Sequence, residues 1–278
     1  MTYERTGARA LDYEYCHYGR SRLAFRGPKR PIPDDFVLYL GGAETFGRFI
    51  ETPYPALLER RTGRRVLNLG LPNTGWDAYL ADPWVMDMVR RAEMTILQEP
   101  GLQCHSNRYY TLHPRRNDHV IGQTALMREV FREVDFTEFN FTRHLVGALK
   151  ARAPERFTAL VRDLRAVWLS RLKTLVSAAT GGTAVMWFAP HQPLDKQEAM
   201  EISDDPWGVD KDLFTEAAAL AKASLTVRIS AKARALGAEG MIYSPIEAPA
   251  TFGLPGPHAH HEAAEQLAAL LQSVSRKS

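Results

Sequence analysis

One strand-to-helix turn, in 36-FVLYLGGAETFGRFI-50, guides the interpretation of the whole sequence. Five apolar residues with strand character end at Gly41-Gly42, and a helical pattern begins within the next few residues. Turns of this kind are places where α/β enzymes often hold a nucleophile or a phosphate. The residue at the apex is Ala43, which can play neither part. The turn is therefore either an altered site or a purely structural turn in which Thr45 caps the helix.

Four further strand-like runs follow the first, and helical patterns lie between them. The runs occupy residues 65–71, 94–98, 184–189 and 241–245, and most are almost continuously apolar. Such runs are typical of parallel strands that are covered on both faces. Helical periodicity is found at 154–180, at about 211–236 and at about 261–274. The alternation predicts an α/β sandwich around a mostly parallel five-stranded sheet.

The chain shows neither a linker nor a repeat, and we expect one domain over residues 1–278. Within it, residues 1–35 form a predicted N-terminal arm. Residues 99–153, between the third and fourth strands, form a predicted insert of loop and two helices.

Composition indicates a soluble, cytoplasmic protein. Lys and Arg number 35 against 32 Asp and Glu, a balance that argues against a nucleic-acid partner. No apolar run approaches the ~18 residues of a membrane span, and residues 1–20 lack the apolar core of a secretory signal. Cys16 and Cys104 suggest neither a disulfide framework nor a zinc site. We expect no metal and no cofactor, and no phosphate-binding G-x-x-x-x-G-K-[ST] motif occurs.

The loops after the predicted strands are rich in Gly, Asn, Gln and His. In a parallel α/β sheet these loops meet at one edge, where ligands bind. Amides and backbone N–H groups suit an oxyanion hole, and a histidine suits a general base. The missing component is the nucleophile.

The order of these loops resembles that of the SGNH (GDSL-type) hydrolase superfamily. The first family block reads roughly G-D-S-x-T-x-G, and 41-GGAETFG-47 agrees with it at three positions. The departures are Gly42 in place of the aspartate and Ala43 in place of the nucleophilic serine. The resemblance implies a flavodoxin-like three-layer α/β/α sandwich that acts as a serine esterase or acyltransferase on a small-molecule acyl ester. It predicts no oligomeric state.

The next two blocks imply the oxyanion hole. The second reads roughly N-x-G-x-x-G in the family, and 68-NLGLPN-73 keeps Asn68 and Gly70 but ends in Asn73. The third, G-x-N-D, places an amide at Gln103, with Asn107 as a rival. Gly70, Asn73 and one of these two amides are therefore the expected oxyanion donors.

The last block, D-x-x-H in the family, falls at the start of the final helix. His261 is the first choice for the base because the apolar helix face begins directly after it, and His258 is the second. A helix N-terminus disfavours a protonated imidazole, which keeps the ring usable as a base. Neither alignment retains the aspartate.

A narrower resemblance, at 105–118 and 134–145, is to a bacterial branch of SGNH-like proteins. In that region His105, His113, Arg115 and Arg116 form either a solvated loop or a cap that binds an anionic substrate, since guanidinium groups match carboxylates.

Two interpretations of position 43 follow from the resemblance. The chain is an esterase whose serine was replaced to inactivate it, or a native protein without catalysis that binds a small ligand in the same pocket. We expect Ala43→Ser to distinguish them.

Overall fold

The computed structural model describes residues 10–201 and 206–276, in which strands and helices alternate along the chain. The strands are β1 (Val37–Leu40), β2 (Val66–Asn68), β3 (Met94–Gln98), β4 (Tyr110–His113), β5 (Arg116–Gln123), β6 (Thr183–Trp187) and β7 (Ala223–Thr226). The helices are α1 (Ala43–Phe46), α2 (Tyr54–Thr62), α3 (Trp76–Leu80), α4 (Pro83–Arg91), α5 (Ala125–Val130), α6 (Thr142–Arg152), α7 (Pro154–Ala178), α8 (Lys211–Leu220), α9 (Ala231–Leu236) and α10 (Pro257–Ser275). Short 3-10 segments occur at Leu102–Cys104, Phe136–Glu138, Glu198–Met200 and Pro245–Thr251.

A five-stranded sheet in the order β2-β1-β3-β6-β7 forms the centre of the described residues, and each neighbouring pair in it is parallel. Alternate residues of β1 enter two different cores. Leu38 and Leu40 pack with residues of α3, α4, α7 and α8, whereas Val37 and Tyr39 pack with residues of α2, α9 and α10. Helices therefore cover both faces of the sheet, and the predicted three-layer α/β/α sandwich is confirmed.

The fifth strand of the sheet lies where the sequence predicts a helix. β7 interrupts the predicted helix at 211–236, which is divided into α8 and α9. β7 is only four residues long and pairs with β6 alone, so its apolar signal is weak. The strand predicted at 241–245 is wrong. Met241 belongs to a small core with Phe49 and Ile50, and a 3-10 segment begins at Pro245.

Two other boundaries differ from the sequence prediction. α10 begins at Pro257 rather than at 261, with the proline in the first turn, where its missing N–H is tolerated. The segment predicted as loop and two helices, 99–153, also contains β4 and β5, which pair as an antiparallel hairpin.

Among the described residues, no helix is long and apolar enough to cross a membrane.

Candidate functional site

A cleft of about 450 Å³ opens at the carboxyl ends of β1 and β3. The lining comes from the loops after β1, β2 and β3, from β5, from the start of α6 and from residues 250–254. The lining residues with polar or charged side chains are Glu44, Arg48, Asn73, Thr74, Gln98, Glu99, Gln103, Cys104, Asp118, Thr142 and Arg143. Ala43, Phe141, Phe188, Phe252 and Leu254 are among the others.

The turn that carries Ala43 is held by Gln98, the last residue of β3. Gln98 Oε1 accepts hydrogen bonds from the N–H groups of Gly42 and Thr45, both at 3.2 Å, and its Nε2 donates to Glu44 Oε2 at 2.7 Å. A Cβ at Gly41 would lie 2.6 Å from that Oε1, so the close approach requires glycine. Among the described residues, no group accepts a hydrogen bond from the Ala43 N–H.

The end of β2 and the loop after it are anchored by a hydrogen bond to the backbone of α1. Asn68 Nδ2 donates to the Thr45 carbonyl at 2.8 Å, and Asn68 Oδ1 accepts from the Gly70 N–H at 2.9 Å. Gly70 does not line the cleft, and its N–H is already used within the protein. Asn73 does line the cleft and has a left-handed backbone with φ of 59°. Of the two predicted donors in this loop, Asn73 is the one that reaches the cleft.

The two rival amides of the third loop have different surroundings. Gln103 lines the cleft, is 5% exposed, and its Oε1 has no hydrogen-bond partner among the described residues. Asn107 donates from Nδ2 to the His105 carbonyl at 2.9 Å and accepts at Oδ1 from the Tyr109 N–H at 2.8 Å. Asn107 thus stabilises the turn into β4 and does not line the cleft.

The sequence analysis did not select Glu99. Among the described lining residues, it has the most buried side-chain oxygens that lack a hydrogen-bond partner. It follows β3 directly and is 4% exposed, and neither carboxyl oxygen has a hydrogen-bond partner among the described residues. Burial raises the pKa of Glu99 well above its usual range, because desolvation disfavours the charged carboxylate. Its position right after a strand is the signal that identifies it.

Asp118, which also lines the cleft, has a further carboxyl oxygen without a hydrogen-bond partner among the described residues. Its Oδ1 is buried without a partner among the described residues, while Oδ2 lies 3.6 Å from Arg116 Nη2. Asp118 comes from β5, so it enters the site from the hairpin that the sequence analysis took for a loop. Cleft oxygens on Glu99, Gln103 and Asp118 are therefore available to a ligand that brings hydrogen-bond donors.

The histidines of the final helix do not line the cleft. His258 and His261 are exposed on α10. His260 is buried, its Nδ1 accepts from the Tyr54 N–H at 3.1 Å, and its ring packs against Phe188 with centroids 5.2 Å apart. Burial lowers the pKa of His260 to about 3. The structure therefore brings none of these imidazoles to the cleft at Ala43.

The four residues proposed for an anion-binding cap also lie outside the cleft lining. His105 is buried, with Nε2 3.4 Å from the Trp76 N–H, and burial lowers its pKa to about 4. His113, Arg115 and Arg116 lie at the turn between β4 and β5, where the Arg115 N–H donates to His113 Nδ1 at 3.3 Å. The cations that do line the cleft are Arg48 and Arg143.

The cleft is lined mainly by hydrogen-bonding groups. No serine or histidine occurs among its lining residues in the described part of the chain. The Thr74 hydroxyl donates to the Pro72 carbonyl at 3.2 Å. No group of three or more His, Cys, Asp and Glu able to hold a metal ion is found within 10–201 and 206–276. This chemistry is suited to binding a polar group.

The sequence matches the family described as "Domain of unknown function (DUF6473)" over residues 1–275. No curated protein matches it. Among solved structures, it is similar to the lipase Lip_vut3 from a goat rumen metagenome, with 12% identity over 84% of this chain and 96% of that one and a TM-score of 0.42. A carbohydrate acetylesterase family member from Sinorhizobium meliloti shows 11% identity over 87% and 99%, with a TM-score of 0.39. A catalytic mutant of Axe2, an acetylxylan esterase from Geobacillus stearothermophilus, shows 16% identity over 86% and 93%, with a TM-score of 0.37.

Proposed function

Since the chain belongs to the family defined by the domain of unknown function DUF6473, we propose its function from its own cleft: it binds a small acylated molecule there and does not hydrolyse it. One observation carries the proposal. Buried polar groups without partners, on Glu99 and Gln103, lie in the same cleft as Ala43, and no histidine lines that cleft in the described residues. Buried polar atoms without partners are rare in proteins, and ligand contact is an ordinary reason for them.

The proposed ligand contacts follow from the groups that are available. The Ala43 N–H, the Asn73 amide and the Gln103 side chain supply donors for an acyl carbonyl. Burial raises the pKa of Glu99, and a protonated Glu99 carboxyl offers both a donor and an acceptor to a neighbouring hydroxyl. An alanine at position 43 leaves the carbonyl bound without a nucleophile to attack it.

A second candidate function is ester hydrolysis or acyl transfer by a form of the protein with serine at position 43. One observation favours it: Ala43, Asn73 and Gln103, which the SGNH resemblance assigns to the nucleophile and the oxyanion hole, line one cleft. The exposed positions of His258 and His261 argue against it, because a serine needs a base within hydrogen-bond reach.

The test compares the wild-type protein with Ala43→Ser. We expect saturation-transfer NMR to show binding of ethyl acetate and methyl butyrate to the wild type, with no hydrolysis of either. We expect Ala43→Leu, which puts a larger side chain at the position proposed to contact the acyl carbonyl, to weaken this binding. Ala269→Leu is the matched control, since Ala269 is exposed on α10.

The serine variant decides between the two candidates. We expect Ala43→Ser to remain unlabelled by a fluorophosphonate and inactive on p-nitrophenyl acetate. Labelling and turnover that appear with the serine, and disappear when His261→Ala or His258→Ala is added, would establish the second candidate. Failure of the folded wild type to bind either ester would overturn the first.

A further inference from the structure

A second cavity adjoins the Ala43 cleft and has the opposite chemistry. It measures about 570 Å³ and lies between α9 and residues 248–256. We call it the apolar groove. Phe252 and Leu254 line both the groove and the cleft, so the two cavities are adjacent.

The lining of the apolar groove is mostly apolar, and its one charged side chain, Arg234, is exposed. Its walls are built from small or aliphatic residues, including Pro190, Ile229, Ala233, Ala238, Pro249 and Ala259. The two lining side chains with polar groups are tied to the backbone: Arg234 donates to the Ile229 carbonyl, and the Thr251 hydroxyl donates to the Ala248 carbonyl at 2.8 Å. The cleft differs sharply, since oxygens of Glu99, Gln103 and Asp118 have no partner among the described residues.

The segment that separates the two cavities exposes large apolar side chains. Phe252, at the junction, is 89% exposed, and Ile246 on the same segment is 88% exposed. Single exposed apolar residues are common, but an aromatic ring at the mouth of an apolar groove is a surface that a ligand would cover.

We propose that the apolar groove binds the linear alkyl chain of a soluble amphiphile whose polar, acyl-bearing head occupies the Ala43 cleft. The inference rests on the proposed function and specifies its ligand class. An alkyl chain fits the groove because it brings no hydrogen-bonding groups. A peptide segment would bury N–H and C=O groups against mostly apolar walls that cannot satisfy them, which is costly.

The experiment measures affinity against chain length. The probes are 1-monoacylglycerols with acyl chains of two to ten carbons, used below their micelle concentrations and titrated calorimetrically into the full chain. Burial of one methylene stabilises binding by about 0.8 kcal/mol, which corresponds to about a fourfold decrease in Kd for each added carbon. We expect this decrease to continue until the groove is filled and then to level off.

Variants on α9 locate the chain-binding surface. Ala233 lines the groove, so Ala233→Trp should remove the dependence of Kd on chain length. Ala235, two residues along, is exposed, and Ala235→Trp should retain the wild-type dependence. Because Ala233 is buried, Phe252→Ser provides a second variant at an exposed site, and it should weaken the dependence without affecting folding.

The outcomes separate this inference from the proposed function. If monoacetylglycerol and its longer homologues bind with equal Kd, the alkyl-chain inference is overturned while the proposed function stands. If no ester binds at any length, the proposed function fails and the inference fails with it. Binding to phosphatidylcholine vesicles without binding of monomeric amphiphile, or a dimer that Phe252→Ser dissociates, would assign the exposed surface to a membrane or to a second copy and overturn the inference.

Discussion

Glu99 illustrates how a single buried group links stability to ligand binding. Its carboxyl lies in the cleft without a partner among the described residues, and burial raises its pKa well above the usual range. A buried carboxyl without hydrogen-bond partners is destabilising, because its desolvation is not offset by hydrogen bonds. A ligand that supplies those hydrogen bonds recovers part of that energy.

Replacement of Glu99 by glutamine should change how stability depends on pH. The unfolded carboxyl ionises near its usual pKa of about 4.3, whereas the folded one keeps its proton to higher pH. Wild-type stability should therefore fall, relative to Glu99→Gln, as pH rises above about 4.3. The difference should grow by up to about 1.4 kcal/mol per pH unit until the folded carboxyl ionises.

Urea unfolding of both proteins between pH 4 and 8 measures this difference directly. Glu239→Gln is the control, because Glu239 is exposed. Parallel pH profiles for wild type and Glu99→Gln would contradict the assignment of a raised pKa to Glu99.

Among the structural elements, the loops after β1 and β2 are mutually positioned by close backbone packing. A Cβ at Gly70 would lie 2.4 Å from the Phe46 amide nitrogen, within α1. The clash involves backbone on both sides, so neither element can relieve it by rotating a side chain. The position of Ala43 thus depends on a glycine that does not itself line the cleft.

Gly70→Ala should therefore destabilise the protein and displace the loop that carries Ala43. Overpacking of this kind costs about 1–3 kcal/mol, equivalent to a decrease in Tm of about 2–4 °C for each kcal/mol in a protein of this size. Gly122→Ala is the matched control, since a Cβ there meets nothing within 4 Å. Thermal unfolding followed by circular dichroism measures both. Equal shifts in Tm for the two variants would show that the loop after β2 accommodates the added methyl group of alanine without destabilising the protein.

Across the whole molecule, two buried histidines contribute to the response to acid. His105, in the loop after β3, packs against Trp76, and His260, in the first turn of α10, packs against Phe188, on opposite sides of the sheet. Burial lowers the pKa of His105 to about 4 and that of His260 to about 3. Unfolded histidines take up protons near pH 6.5. The unfolded state therefore binds more protons below that pH, and stability falls as pH decreases from about 6.5 towards 4.

His260→Asn should reduce this acid sensitivity. The asparagine Oδ1 can replace Nδ1 as the acceptor for the Tyr54 N–H but does not titrate. Each histidine contributes up to about 1.4 kcal/mol per pH unit, so we expect the slope of unfolding free energy between pH 6.5 and 4.5 to fall by about that amount. His258→Asn, at an exposed position of the same helix, should leave the slope unchanged. An unchanged slope in His260→Asn would mean that His260 is protonated in the folded protein at these pH values.

The sequence alone determined the architecture and the place of the cleft. Continuous apolar runs identify β1, β3 and β6 because parallel strands covered on both faces bury every residue. The long helix α7 is equally plain from its periodicity. Ala43 could be placed at a strand end because a strand-to-helix turn is a local feature. β7 could not be identified, because a short strand at the edge of the sheet buries too little to leave an apolar pattern.

Only the tertiary structure decided which side chains meet in the cleft. Gln98 holds the turn at Gly42 across 56 residues of sequence, and no periodic pattern records such a pairing. Asn107 and Gln103 look equivalent in sequence. In the structure, Asn107 hydrogen-bonds within its own turn, whereas Gln103, which lines the cleft, has an oxygen without a partner among the described residues. The physical reason is that apolar patterns report which face of an element is buried. Hydrogen-bond partners and pKa shifts depend on what the fold brings to that face.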